Sequence, residues 1–109
     1  MKRGDIVLVA VRGDYGKPRP AIVIQTHLLP PTDSTLLCLL TSDDDELALG
    51  RRLAVAPTPE NGLKLPSQIM VEKIVAVRRD RCGQIIGRLE RAILQQLNEA
   101  LALITGLTD

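Results

Sequence analysis

Leu89-Glu-Arg-Ala-Ile-Leu-Gln-Gln-Leu-Asn-Glu-Ala-Leu-Ala-Leu-Ile104 is the stretch that decides the fold class of this chain. Leu89, Ile93, Leu97, Leu101 and Ile104 recur at helical spacing, and Leu94 widens the stripe. Arg91, Gln95, Asn98 and Glu99 fall on the opposite side. One apolar face repeating near the helical period predicts an amphipathic helix, and Gly106 supplies a stop just beyond it. The stripe is broad enough to cover the chain's own sheet and part of a partner.

Everything before this segment reads as strands and turns. Ile6-Val-Leu-Val-Ala-Val11 is short, β-branched and apolar at every position, which predicts a strand covered on both faces. Arg12-Gly13-Asp14-Tyr15-Gly16 is turn chemistry, and Ala21–Thr26 reads as the second strand, antiparallel to the first. Thr35–Ser42 reads as a central third strand and Arg52–Ala56 as a short fourth. Ser67–Val71 and Ile74–Val77 are two further strands or one bent strand. Asn61-Gly62 is a turn, and Gly83 and Gly87 punctuate the approach to the helix. Strands followed by one helix specify an α+β domain, or a small barrel-like sheet with the helix packed on it. A length of 109 residues suits one domain, 1–109.

Composition narrows the chemistry. Tyr15 is the only aromatic residue, so the core must be aliphatic. A row of aromatic platforms for single-stranded nucleic acid is excluded, and any RNA contact must rest on arginine and backbone groups. Net charge is only +1, but ten arginines stand against four lysines, and arginine is the better bidentate phosphate ligand. Cys38 and Cys82 lack an export signal before them, which points to reduced thiols and a cytoplasmic setting. No apolar run approaches the roughly 20 residues that span a bilayer. One histidine and no paired-cysteine motif argue against zinc, and no cofactor motif is present.

Two short segments could carry chemistry. Arg19 lies between Pro18 and Pro20. Pro18 fixes its own φ, and Pro20 pushes Arg19 toward an extended backbone. Such bracing suits a guanidinium aimed at a phosphate, although a surface arginine packing its stem on a loop would read the same way. Thr41-Ser42 end an apolar strand. They are either caps for strand-end backbone groups or donors for phosphate oxygens. Asp43–Glu46 reads as a solvated acidic turn, His27 has no partner carboxylate at a useful spacing, and Arg78-Arg79-Asp80-Arg81 is a basic turn open to polyanions.

The order of these segments resembles one family. Lys2-Arg3-Gly4-Asp5-Ile6, Gly16-Lys17-Pro18-Arg19-Pro20-Ala21-Ile22-Val23-Ile24-Gln25, Leu40-Thr41-Ser42, Ser67-Gln68-Ile69-Met70-Val71-Glu72-Lys73-Ile74 and Ile86-Gly87-Arg88-Leu89 together look like the MazF/PemK (Kid) toxin endoribonucleases of type II toxin–antitoxin modules. The resemblance implies a small SH3-like barrel with a C-terminal helix, a homodimer, and a cognate antitoxin as partner. It implies metal-independent cleavage of single-stranded mRNA by the substrate's own 2′-hydroxyl. Arg19 falls on the family's catalytic arginine and Thr41 on its catalytic threonine. RNA contacts are then expected from Lys17, Ser42, Gln68, Glu72, Arg78 and Arg79. Two positions depart from particular members: Pro18 stands where some place a histidine beside the arginine, and Met70 where Kid-type members carry an arginine two positions before the acidic residue. A CcdB-like gyrase poison and an inactive barrel are the alternatives, and the pair Arg19 and Thr41 disfavours both.

Overall fold

The computed structural model describes residues 1–10, 17–43 and 52–109. Val11, the turn with Tyr15, and Asp44–Glu46 of the acidic run lie outside these residues. The chain forms β1 (Asp5–Ala10), β2 (Pro18–Val23), β3 (Ser34–Thr41), β4 (Arg52–Val55), β5 (Ser67–Arg78), β6 (Cys82–Arg88) and α1 (Arg91–Ile104), with a 3₁₀ turn at Arg79–Arg81 between β5 and β6. The strands make one six-stranded sheet in the order β4-β5-β3-β2-β1-β6, and every pairing is antiparallel. This is the α+β sheet with a C-terminal helix that the sequence predicts.

Alternation along each strand fills both faces of the sheet. Ile6, Ile22, Cys38, Leu40, Ile69 and Val71 join Leu97 of α1 in one core. Val7, Val9, Ala21, Val23, Leu37, Leu39 and Met70 form a second core on the opposite face. Each fully buried branched side chain contributes about 1.5–3 kcal/mol, so neither face is expendable. Met70 is buried in the second cluster. A guanidinium there would have to enter an apolar layer, which explains why this chain does not carry arginine at that position.

The helix rests on β4 and β5. It starts at Arg91, two residues later than the apolar stripe suggests, because Leu89 N–H already donates to Gly4 O at 2.9 Å and ties the chain to the start of β1. Gly106 takes a φ of 79°. Its N–H donates to Leu103 O and that of Leu107 to Ala102 O, the paired bonds of a left-handed helix stop.

Three strand assignments differ from the sequence reading, and the first is β2, which runs Pro18–Val23 rather than Ala21–Thr26 and so takes Arg19 into the strand. Ser67–Arg78 is one bent strand: Cys38 pairs with Ile74 but Leu40 with Ile69, and the surplus residues of β5 bow outward. Cys82–Arg88, read as punctuation, is a full strand pairing with β1. Its glycines hide the strand pattern, yet Gly87 is needed there. A Cβ on Gly87 would lie 2.3 Å from Glu60 O, and one on Gly62 would lie 2.1 Å from Ile86 O. The loop between β4 and β5 thus lies backbone to backbone on β6, with Arg88 N–H donating to Glu60 O at 2.8 Å. Asn61 holds that loop in shape. Its buried Oδ1 accepts from Thr58 N–H and Leu63 N–H, and its Nδ2 donates to Ala56 O at 2.8 Å. The loop ties the two edges of the sheet together, which curls it into a barrel-like form.

Cys38 is fully buried. Burial, helped by the Glu72 charge and opposed by Arg3, pushes its thiol from 9.0 to about 11. The folded chain therefore keeps a proton that the unfolded chain gives up. This contribution is intact below pH 9.0 and is lost as pH rises toward about 11, at up to about 1.4 kcal/mol per pH unit. Denaturant titrations of wild type at pH 8 and pH 10.5 should show a larger alkaline loss than Cys38→Ala, and identical losses would refute this account.

Candidate functional site

The two prolines around Arg19 shape an opening in the sheet. β2 pairs with β3 through Ala21↔Leu39, Ile22↔Cys38 and Val23↔Leu37, and the recorded pairing ends there. Carried onward, the same register would set Pro20 against Leu40 and Arg19 against Thr41. Pro18 and Pro20 have no N–H to offer a ladder, and the strands part at this point. β2 stays paired with β1 along its other edge, with Val9 opposite Arg19 and Leu8 opposite Pro20. The seam opens into a groove of about 600 Å3, and Arg19, Thr41 and Ser42 all line it. The sheet thus brings together two segments 22 positions apart in sequence.

Thr41 is buried at the end of β3 while Ser42 is exposed. The Thr41 Oγ1 accepts a hydrogen bond from Asp43 N–H at 3.1 Å. This is the strand-end cap that the sequence allows, and it also serves a site. With an acceptor position occupied by the backbone, the hydroxyl keeps its own hydrogen to donate. Arg19 is exposed on β2, and a planar guanidinium can present paired donors to a phosphate.

The remaining expected residues divide. Lys17 is exposed just before β2. Gln68 lies directly across from Thr41 on β5. Glu72 lies farther along β5 and pairs with Arg52, Nε to Oε1, at 3.3 Å. Arg78 and Arg79 are not brought to the groove. They line a second hollow of about 680 Å3 with residues 31–34, where Arg78 pairs with Asp80 at 2.7 Å and Arg79 Nε donates to Thr32 O. His27 Nδ1 accepts from Arg3 N–H at 3.2 Å, a tie across the N-terminal turn.

Among the groove residues that the sequence does not mark as site residues are Lys64, Leu63 and Leu65 from the loop after β4, and Gln84 from β6. Lys64 follows the Asn61-Gly62 turn, and nothing in its neighbours marks it. Gln84 needs β6 to be recognised as a strand first. Lys64 adds a second cation to the lining and Asp43 a carboxylate, while Leu8, Leu40, Leu63, Leu65 and Ile86 add apolar surface. Cations and hydroxyls set among aliphatic side chains suit a ligand with a charged backbone and flat, weakly polar appendages.

Comparison with known proteins gives concordant results. The family model described as "PemK-like, MazF-like toxin of type II toxin-antitoxin system" matches residues 2–105. The chain is 38% identical over 109 residues to the probable endoribonuclease MazF of Mycolicibacterium smegmatis, covering 98% of each protein. In fold it is similar to an endoribonuclease in complex with its cognate antitoxin from a mycobacterial species, with a TM-score of 0.81, 18% identity, and coverage of 98% of this chain and 96% of that one. It is also similar to the Mycobacterium tuberculosis toxin MazF-mt6, with a TM-score of 0.77, 20% identity, and coverage of 94% and 96%.

Proposed function

Because the chain belongs to the PemK-like, MazF-like toxin family of type II toxin–antitoxin systems, we propose that it is an endoribonuclease that cuts single-stranded mRNA and is restrained by a cognate antitoxin. The observation that carries this reading is the meeting of Arg19 with Thr41 and Ser42 in one groove at the parted seam of β2 and β3.

The reaction needs no protein nucleophile. The RNA 2′-oxygen forms a bond to the adjacent phosphorus as the bond from phosphorus to O5′ breaks. The 2′-hydroxyl loses its proton and the departing O5′ gains one. The products are a 2′,3′-cyclic phosphate and a 5′-hydroxyl. Negative charge gathers on the non-bridging oxygens midway. Arg19 stabilises that charge with donors held in place by a stiff backbone. Thr41 donates its hydroxyl hydrogen to one of these oxygens, and Ser42 and Lys17 hold the flanking strand. In-line placement of the 2′-hydroxyl supplies much of the remaining rate. A homodimer completes the proposal, and the exposed Leu103, Ile104 and Leu107 at the end of α1 are apolar surface available to it.

Purified protein mixed with single-stranded RNA of varied sequence in EDTA should cut it, leaving 2′,3′-cyclic phosphate ends. Thr41→Ala should lower the single-turnover rate by about 10²-fold with little change in RNA binding. Intact RNA together with inhibition of gyrase would replace this reading with the CcdB-like one.

A further inference from the structure

β6 pairs with β1 in a broken register. Ile6 faces Gly87 and Val7 faces Ile85, leaving Ile86 as a surplus residue. Val7 faces Ile85 and Val9 faces Cys82, so Gly83 and Gln84 together oppose Leu8. Each break is a bulge, a device that re-aims side chains at the rim of a barrel. Both breaks serve the same groove, because Gln84 and Ile86 line it with Leu8, Arg19 and Thr41. A Cβ at Gly83 would lie 3.2 Å from Leu8 O, so glycine spares the second break a tight contact. Gln84 itself is exposed, on the outermost strand of the sheet.

A primary amide offers a donor beside an acceptor, the pattern that grips the edge of a nucleobase with two hydrogen bonds. Single-stranded RNA leaves those edges unpaired. No aromatic side chain occurs among the described residues, so a base entering the groove rests on aliphatic groups, and Leu8 and Ile86 provide them beside the amide. We propose that Gln84 reads the identity of the nucleobase adjacent to the scissile phosphate. The inference rests on the ribonuclease reading and assigns part of its sequence choice to one side chain.

Substitution changes the pattern of donors and acceptors in a known way. A carboxylate at this position presents two acceptors. Among the four RNA bases, guanine alone places two donors, N1–H and N2–H2, side by side on its pairing edge. The test maps cut sites by sequencing 5′-hydroxyl ends from a random RNA pool, for wild type, Gln84→Ala and Gln84→Glu. The readout is the base ratio at each position around the cut. It is independent of the overall rate, which the added charge in Gln84→Glu lowers. At one position beside the cut, Gln84→Ala should flatten the wild-type preference. Gln84→Glu should shift it toward guanine by about ten-fold. Wild-type cutting with no preference beside the scissile phosphate, or preferences that persist at every position in both variants, overturns the assignment and leaves the ribonuclease reading standing. A wild-type protein that cuts no RNA overturns both.

Discussion

Arg19→Ala should fold normally and cut RNA about 10³-fold more slowly in a single turnover. The side chain is exposed, so its removal leaves neither core with a void. The backbone stays extended, because Pro18 and Pro20 set it regardless of the residue between them. The loss therefore falls on chemistry. Arg19→Lys restores the charge without the planar fork that meets two oxygens at once, and should recover only a small part of the rate. Rates measured at saturating protein separate this effect from weakened binding. A rate for Arg19→Ala within ten-fold of wild type would show that the charge on the phosphorane is stabilised elsewhere, with Lys64 as the next candidate in the groove.

Gly87→Ala should destabilise the protein by about 3 kcal/mol or more. The added methyl would sit 2.3 Å from Glu60 O and 2.4 Å from Asn61 C, and these are backbone atoms. They cannot retreat independently, because Asn61 binds Ala56, Thr58 and Leu63 within the same loop. Gly83→Ala is the control. Its methyl would meet Leu8 O at 3.2 Å, a tight contact that a small shift relieves. Chemical denaturation of the two variants should separate their midpoints clearly, Gly87→Ala having the lower one. Equal midpoints would mean that the loop yields easily and does not hold the barrel closed. Since Leu63 and Lys64 extend from that loop into the groove, any Gly87→Ala that still folds should also bind RNA more weakly.

Strands with uniform apolar runs, such as Ile6–Val9 and Leu37–Leu40, were legible because burial on both faces leaves a signal in composition. The helix was legible through its period. β6 was not, since Cys82-Gly83-Gln84-Ile85-Ile86-Gly87-Arg88 carries glycines where a strand ordinarily carries β-branched residues. Those glycines answer to close backbone approach, a demand visible only once the partner loop is in place. Arg19 and Thr41 could be singled out through local chemistry and family resemblance, but their meeting depends on the β2–β3 register. Lys64 and Gln84 carry no local mark, and three-dimensional placement alone makes them candidates. The grouping of Arg78 and Arg79 with the RNA contacts followed from charge, and charge does not tell which hollow a turn will face.

The strand order has a consequence for how the toxin comes into being. The first strand made, β1, ends beside the last, β6. Pairing so distant in sequence forms late, because a long stretch of chain must be closed before any contact rewards it. On a ribosome, Arg19 and Thr41 emerge early, yet the wall bearing Ile86 and Gln84 cannot close behind them until almost the whole chain is out. On the proposed function, a nascent chain is thus unarmed next to the message that encodes it until synthesis is nearly done.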